Sequence, residues 1–308
     1  MSYDKFPAYK KFIVIVVYYH PMKEALYSNH YSFETIDTST MGLKVLAKFL
    51  AQTFKSSKFN PEYLNWLYNQ NPNGRVVGFN AISKNELAGH YALIPLKASY
   101  KKKEIKALLS INTATGSEHQ GKGLFTILAN KTYAESLNLG FEIVLGVANE
   151  NSFHGFIKKL NWKYIDQLDT CISFTTPREI KSENLENCFT LPLSNSARKW
   201  RLSNPNFKYS EYHIRKVKLI ANELNYFARS IIRISEANSY KTKISMPKIN
   251  FWAGISQSYS WKERPLMGVK IPSFLKPSPL HLIYKDLSSE IELDRTNIHF
   301  EAINFDAF

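Results

Sequence analysis

Gly121 and Gly123 stand two residues apart in Gln120-Gly121-Lys122-Gly123-Leu124-Phe125, where strand-forming sequence gives way to a helical run. That junction constrains the fold more than any other feature of the chain. A helix begins with four unpaired N–H groups and the positive end of its dipole. Glycines let a bulky anion reach such backbone without a Cβ clash. A phosphate or pyrophosphate is therefore well served there, and Lys122 adds positive charge. The spacing matches neither the Gly-x-x-x-x-Gly-Lys-Ser/Thr loop of nucleotide triphosphatases nor the Gly-x-Gly-x-x-Gly of dinucleotide folds. Taken alone, the pair also reads as an ordinary turn before a helix.

The flanking sequence narrows the choice. Upstream, Ser39–Phe54 carries apolar residues at Leu43, Leu46, Ala47, Leu50 and Phe54, which is helical spacing. "NPEYLNWLYNQNPNG" offers Asn60 as a cap and Pro61 at the first helical position. Three strands come next, in "RVVGFNAIS", "LAGHYALIPLKASY" and "IKALLSINTATG". Downstream come a helix from Leu124 to Leu137 closed by Gly140, a buried strand Phe141–Asn149, a short helix in "NSFHGFIKKL" and one strand in "NWKYIDQLDTCISFT". This order predicts an α/β (α+β) chain with a mixed central sheet flanked by helices.

Two domains are expected, 1–176 and 183–308, joined by the polar segment around Pro177. Residues 1–21 read as an appendage. Their apolar run Phe12–Tyr19 is too short to span a bilayer and lacks a small-residue cleavage site, so it reads as a strand. In the second part, "KWRLSNPNFKYSEY" echoes "NWLYNQNPNGRVVG": a Trp, an Asn-Pro-Asn turn, then a strand. The echo implies an internal duplication, with the second copy divergent. "KVKLIANELNYFARSIIRI" reads as strand or helix, and "SPLHLIYKDL" and "IHFEAINFDAF" as closing strands. The second part has no Gly-x-Gly element, so it is not expected to bind the same ligand.

Lys and Arg outnumber Asp and Glu by 40 to 26, a net charge of +14. Such a surface attracts phosphorylated cofactors, nucleotide-linked substrates, nucleic acid or anionic membrane, and charge alone does not choose among them. Cys171 and Cys188 form no Cys-x-x-Cys pair, which disfavours a disulfide framework or a metal site and fits a reducing cytoplasm.

The segment Gln120–Phe125 resembles the coenzyme A-binding motif of the GNAT N-acetyltransferase superfamily, Gln/Arg-x-x-Gly-x-Gly/Ala after a central strand. It departs from the motif at its last position, where Phe125 replaces a small residue. "VANENSFHGFIKKLNWKYI" resembles the second motif of the family, with Leu160-Asn161-Trp162 in place of Leu-Gly-Phe. The resemblance covers about residues 40–175. It implies the acetyltransferase fold and acetyl-CoA as cosubstrate, with no metal. Cofactor contacts would come from Gln120, Gly121, Lys122, Gly123, Leu124 and Phe125, from the amides of Thr113, Ala114 and Thr115, and from Asn149 and Asn151. In this reading a primary amine attacks the thioester directly.

Proton acceptors expected on that reading are His90 and His154, with Glu118 and Glu150 as further candidates. Tyr91 is the substitute acid for the leaving thiolate, because the position many relatives give to a Tyr is Ile157, beside Phe156. Asn149 and Asn151 equally suit helix capping. The overall form also resembles GNAT proteins of bacterial surface-polysaccharide synthesis. That implies an amino sugar acceptor, nucleotide-linked, and no nucleic-acid partner. Small-amine or aminoglycoside acetyltransferases, Fem-type aminoacyltransferases and a non-catalytic coenzyme A-binding module are the alternatives.

Overall fold

The computed structural model describes residues 30–176, 181, 185–214, 216–237, 248–259, 269–270 and 279–305. The strand expected at Phe12–Tyr19, the appendage 1–21 and most of the linker around Pro177 lie outside them.

Helix α1, Thr40–Phe54, starts where the Ser39 side chain accepts the Gly42 N–H, and buries Leu43, Leu46, Ala47 and Leu50. Helix α2, Pro61–Tyr68, starts at Asn60, whose side chain accepts the Tyr63 N–H. Both caps satisfy otherwise orphaned donors. The strands of the first sheet are β1 (Ser32–Thr35), β2 (Val77–Ser83), β3 (Glu86–Tyr100), β4 (Lys103–Thr115), β5 (Ile143–Ala148), β6 (Lys163–Gln167) and β13 (His281–Asp286), in the order β1-β2-β3-β4-β5-β13-β6. Two-residue turns join β2 to β3 and β3 to β4. Their φ values are positive at Lys84 (50°), Asn85 (65°), Lys101 (49°) and Lys102 (63°), a geometry that matches strand twist. One apolar layer forms with α1 and α2. The other forms with α3 (Leu124–Asn138) and α4 (Glu150–Leu160).

The second sheet takes β7 (Asp169–Ser173), β8 (Tyr209–Ile214), β9 (Val217–Glu223), β10 (Ala228–Glu236), β11 (Ile249–Ile255) and β12 (Val269–Lys270), in the order β12-β7-β11-β10-β9-β8. A short strand β14 (Phe300–Glu301) pairs with β11. The segment whose sequence suits strand or helix is thus the hairpin β9–β10. The closing strand expected at 298–308 is, in its described part, a two-residue strand and a 3₁₀ turn, Ala302–Asn304.

The single strand expected across 161–175 is two strands in two sheets. Buried Leu168 marks the switch, its N–H donating to Leu280 O (2.8 Å). Arg295 clamps both sides of the break, through Asp166 (2.8 Å) and Asp169.

The two sheets repeat one plan. In the first, β2, β3 and β4 are antiparallel, β4 and β5 are parallel, and β13 pairs antiparallel with β5. In the second, β8, β9 and β10 are antiparallel, β10 and β11 are parallel, and β7 pairs antiparallel with β11. Each sheet therefore receives the strand after its parallel pair from the other part of the chain. Helix α5 (Asn195–Leu202) precedes β8 as α2 precedes β2. Asn71 Oδ1 accepts the Asn73 N–H (3.0 Å), and Asn204 Oδ1 accepts the Asn206 N–H (2.9 Å), so the two Asn-Pro-Asn turns are the same turn. The paired tryptophans meet. Trp66 and Trp200 stack with centroids 4.9 Å apart, and each indole N–H donates to the other's carbonyl (2.7 and 2.9 Å). The two sheets fit a second, related domain built on the first plan.

Candidate functional site

Strands β4 and β5 pair only from Ala107/Ile143 to Ser110/Gly146. Beyond that point β4 carries a bulge. Asn112 takes a left-handed backbone (φ 52°), and Asn112 and Thr113 together oppose Tyr91 of β3. Asn is among the few residues that adopt this conformation readily. The strands part there and leave a cleft of about 250 Å³. Its strand walls are Leu109–Thr113 and Gly146–Ala148. Asn149, Ser152 and Phe156, at helical spacing along one face of α4, close one side. Phe54, Lys58, Ile283 and Phe305 close another.

The chain leaves β4 through residues 116–123 and enters α3. Gly121 and Gly123 both have φ +75°, which L-residues with a Cβ rarely adopt. Nothing stands within 4 Å of where a Gly121 Cβ would be. Gly123 is the N-cap of α3, and no side chain caps this helix. The other four described helices are each capped by a side chain, from Ser39, Asn60, Asn149 and Ser194. Gln120, Gly121, Lys122 and Gly123 are all exposed or half-exposed. The first turn of α3 thus presents bare amides to solvent, with Lys122 beside them. Phe125 does not obstruct this. Its ring turns inward against Tyr91 (6.1 Å) and Phe156 (5.3 Å), and passes over Gly155, where a Cβ would lie 3.4 Å from it. Leu124 is buried beneath.

Within the cleft, the Thr113 hydroxyl is buried without a hydrogen-bond partner. A buried unpaired polar atom is costly, so this one fits a ligand that supplies the missing bond. Ala114 and Thr115 remain paired with His90 and Gly89 of β3, but β4 has no β5 partner beyond Ser110.

None of the expected proton carriers is among the described lining residues. His90 is fully buried on the α1/α2 side with both ring nitrogens engaged. Asn112 Nδ2 donates to Tyr68 OH (3.0 Å), which leaves the Tyr68 proton for His90 Nε2 (2.9 Å) and the His90 Nδ1 proton for Asn80 Oδ1 (2.7 Å). Burial lowers the His90 pKa to about 3, so the ring stays neutral. It braces the bulge residue Asn112, which is not the part of proton acceptor expected from sequence. Tyr91 is buried on the opposite face of the sheet. Trp162 Nε1 donates to Tyr133 OH (2.8 Å), which in turn donates to Tyr91 OH (2.6 Å); Ser110 of the cleft wall also hydrogen-bonds Tyr91, and burial pushes the Tyr91 phenol well above its ordinary range. His154 and Asn151 are exposed on α4, away from the cleft walls, and Glu118 is exposed too. Glu150 meets His281 Nε2 (3.2 Å). Asn149 caps α4, accepting the Ser152 N–H (3.0 Å), and also lines the cleft.

Sequence reasoning misses Ser152 and the far wall, Phe54, Lys58, Ile283 and Phe305. An Asn within a β-rich run is the available signal for the bulge. No local signal marks Ile283 or Phe305, because tertiary pairing alone brings them there.

Residues 42–165 match the sequence family described as "Acetyltransferase (GNAT) domain". The chain carries a GNAT acetyltransferase domain. It is thereby an enzyme of the N-acetyltransferase kind, and the GNAT fold uses acetyl-CoA. Among curated proteins none matches the chain by sequence. Solved structures share the GNAT fold over most of the chain. A probable N-acyltransferase from Enterococcus faecalis aligns with TM-score 0.59 at 7% identity, covering 84% of this chain and 73% of its own. A GCN5-related N-acetyltransferase from Kribbella flavida aligns at 0.57 and 9%, covering 85% and 73%. Another from Anabaena variabilis aligns at 0.54 and 12%, covering 83% and 73%.

Proposed function

We propose that the cleft between β4 and β5 holds the thioester arm of acetyl-CoA, with its pyrophosphate on the uncapped start of α3. The acetyl group then passes to a primary amine on an anionic acceptor, a phosphorylated or nucleotide-linked amino sugar. The observation that carries the cofactor half is the conjunction of two features. One is a helix start left bare by two positive-φ glycines, and the other is a parted strand pair with an unpartnered hydroxyl at Thr113.

The residues of this chain would work by placement. Amides from Gly121 to Phe125 hold the phosphates. The free edge of β4 beyond Ser110 offers N–H groups to the carbonyl oxygen, where charge develops. Phe156 and the apolar strand walls exclude water and keep the reactants aligned. Among the described lining residues, the polar groups are Ser110, Asn112, Thr113, Asn149, Ser152 and Lys58, with no imidazole or carboxylate. The described walls therefore orient and donate hydrogen bonds.

That same composition supports the acceptor class. Lys58 is the one charged residue among the described lining residues. A polycationic aminoglycoside or polyamine calls for acidic walls, whereas a sugar phosphate suits a lining whose charged residue is Lys58, its ammonium over the Phe59 and Tyr63 rings (5.3 and 5.9 Å). We place the reaction in the cytoplasm, where acetyl-CoA is made, and read surface-polysaccharide precursors as the acceptor pool. No helix among the described residues is long and apolar enough to cross a membrane.

The test has two stages. Calorimetry with coenzyme A should show one site per chain, abolished by Gly121→Val combined with Gly123→Val. Thiol release from acetyl-CoA should then respond to amino sugar phosphates or nucleotide amino sugars more than to aminoglycosides or polyamines. Undiminished coenzyme A binding by the double variant would overturn the cofactor reading. A preference for polycations would overturn the acceptor reading.

A further inference from the structure

The second sheet repeats the parting of strands seen in the first, and something already fills it. Strands β10 and β11 run in parallel from Ala228/Ile249 to Ile231/Trp252 and go no further, as β4 and β5 stop at Ser110/Gly146. The register of β10 against β9 breaks just beyond, at Ile232, as that of β4 breaks at Asn112. The counterpart of the open cleft therefore lies between β10 past Ile231 and β11 past Trp252. Gly254 of β11 pairs with Asp169 of β7 on one edge and with Glu301 of β14 on the other. Strand β14 must therefore sit on the edge that β10 has left.

The fit is close. A Cβ on Gly254 would stand 2.5 Å from Phe300 O and 3.2 Å from Glu301 Cα, so only glycine admits β14 there. Glu301 is fully buried. Its Oε1 accepts from the Ile234 amide of β10 (2.9 Å) and from Tyr259 OH (2.6 Å); its Oε2 meets Arg233 Nη1 (3.1 Å) and His299 Nε2 (3.3 Å). The Glu301 N–H is held in turn by Asn304 Oδ1 (2.8 Å), which closes the 3₁₀ turn Ala302–Asn304. Phe305 emerges from that turn stacked on Phe300 (5.5 Å) and lines the first cleft beside Phe54 and Lys58.

We propose that the second cleft is a clasp: it grips segment 300–304 as a built-in ligand, through the Glu301 carboxylate on the Ile234 amide, and so sets Phe305 as the acceptor-side wall of the first cleft. Glu301 is then a positioning residue that acts through Phe305. A carboxylate bound to a strand amide just past the bulge occupies the place where, on the acetyl-CoA reading, a ligand carbonyl meets β4. The second part of the chain retains the geometry of a binding cleft, and its own backbone fills it. Phe305 screens the first cleft from water on the side where the acceptor enters. The wall role rests on the acetyl-CoA reading of the first cleft; the clasp does not.

The experiment uses the full chain with Glu301→Gln, Phe305→Ala and wild type in parallel. Amide hydrogen exchange by mass spectrometry reads the clasp without any ligand. Glu301→Gln should speed exchange at least tenfold in peptides covering 229–236 and 297–305 while leaving 107–111 unchanged; Phe305→Ala should leave 229–236 as in wild type. Acetyl-CoA affinity by calorimetry should stay within twofold in both variants. Thiol release from acetyl-CoA with water as the only acceptor should rise about tenfold in both, because the wall is gone in one and loosened in the other. Unchanged exchange in Glu301→Gln overturns the clasp. Unchanged hydrolysis in Phe305→Ala overturns the wall. Wild type that fails to bind acetyl-CoA sinks the cofactor reading instead, and the exchange result still decides the clasp.

Discussion

The two clefts of this chain share strand order, strand direction and a bulge beside the parting point, yet one is open and the other is closed. The difference lies in the connection that leaves the bulged strand. After β4, residues 116–142 supply the glycine turn and α3 before β5 begins. After β10, the connection 237–248 is far shorter, and β14 is drawn into the gap instead. A parted strand pair exposes unpaired backbone, and buried unpaired backbone is costly. Each cleft resolves that differently. The first leaves its edge open, and the second satisfies it from within the chain. On the proposed reading the same scaffold serves once for binding and once for stability.

The largest expected effect separates the two clefts directly. Gly121→Val with Gly123→Val forces two β-branched residues into a left-handed backbone, about 1–3 kcal/mol each, and blocks the bare amides. Acetyl-CoA affinity should fall by roughly a hundredfold or more, since about 1.4 kcal/mol is tenfold. Hydrogen exchange around Glu301 should not change. Coupled loss at both places, read by calorimetry and exchange together, would show that the clefts are not independent.

Gly254→Val inverts that pattern. Its Cβ has no room beside Phe300 O, so overpacking of about 1–3 kcal/mol is expected. The melting temperature should drop and segment 297–305 should lose protection, with coenzyme A affinity held within twofold.

Acid should weaken the two regions over different pH ranges. The folded pKa of His90 lies at about 3, below its ordinary 6.5, because burial disfavours the charged ring. Protons therefore bind the unfolded chain preferentially between these values. Stability from this site is whole above about pH 6.5 and declines as pH falls toward about 3, by up to about 1.4 kcal/mol per pH unit. For Glu301, burial raises the carboxyl, but Arg233 and His299 outweigh it and hold the group below its ordinary value. Its contribution is whole above the ordinary carboxylate pKa and is lost only as pH falls below it. On acidification, urea melts and exchange should show protection at β2–β3 declining before that at β14. His90→Gln should flatten the slope between about pH 6.5 and about pH 3. A slope unchanged by His90→Gln would break the assignment.

Local chemistry makes the first cleft largely legible in the sequence. The caps Ser39 and Asn60, the positive-φ glycines and the periodicity of Leu124–Leu137 are short-range signals, and each element forms where they point. The cleft's far wall is not legible. Ile283 arrives through β13, which pairs with a strand well over a hundred residues earlier, and Phe305 arrives through the clasp. His90 and Tyr91 stand out by residue type, but strand alternation sends them to opposite faces, each into a buried hydrogen-bonded set. Burial of that kind depends on tertiary pairing, which no stretch of sequence around Gly89 records. The Trp and Asn-Pro-Asn echo is legible because both copies keep the same turn.

The smallest effect probes that echo. Trp66 and Trp200 each donate one indole hydrogen bond to the other's backbone and share one stack. Near-symmetry predicts near-equal costs. Trp66→Phe and Trp200→Phe should each lose about 1 kcal/mol for the one indole hydrogen bond removed, read as similar shifts in the urea midpoint; the Trp200 carbonyl keeps the Ser203 hydroxyl as a donor (2.9 Å). The double variant should lose less than the sum, because the two indoles also share one aromatic contact, worth about 0.5–1.5 kcal/mol. Both sit on α2 and α5, remote from the glycine turn, so coenzyme A affinity should not move. If one substitution costs several times the other, the two parts of the chain bear unequal load at the one place where their sequences still agree, and the second would be better described as a support grown around the first than as its divergent copy.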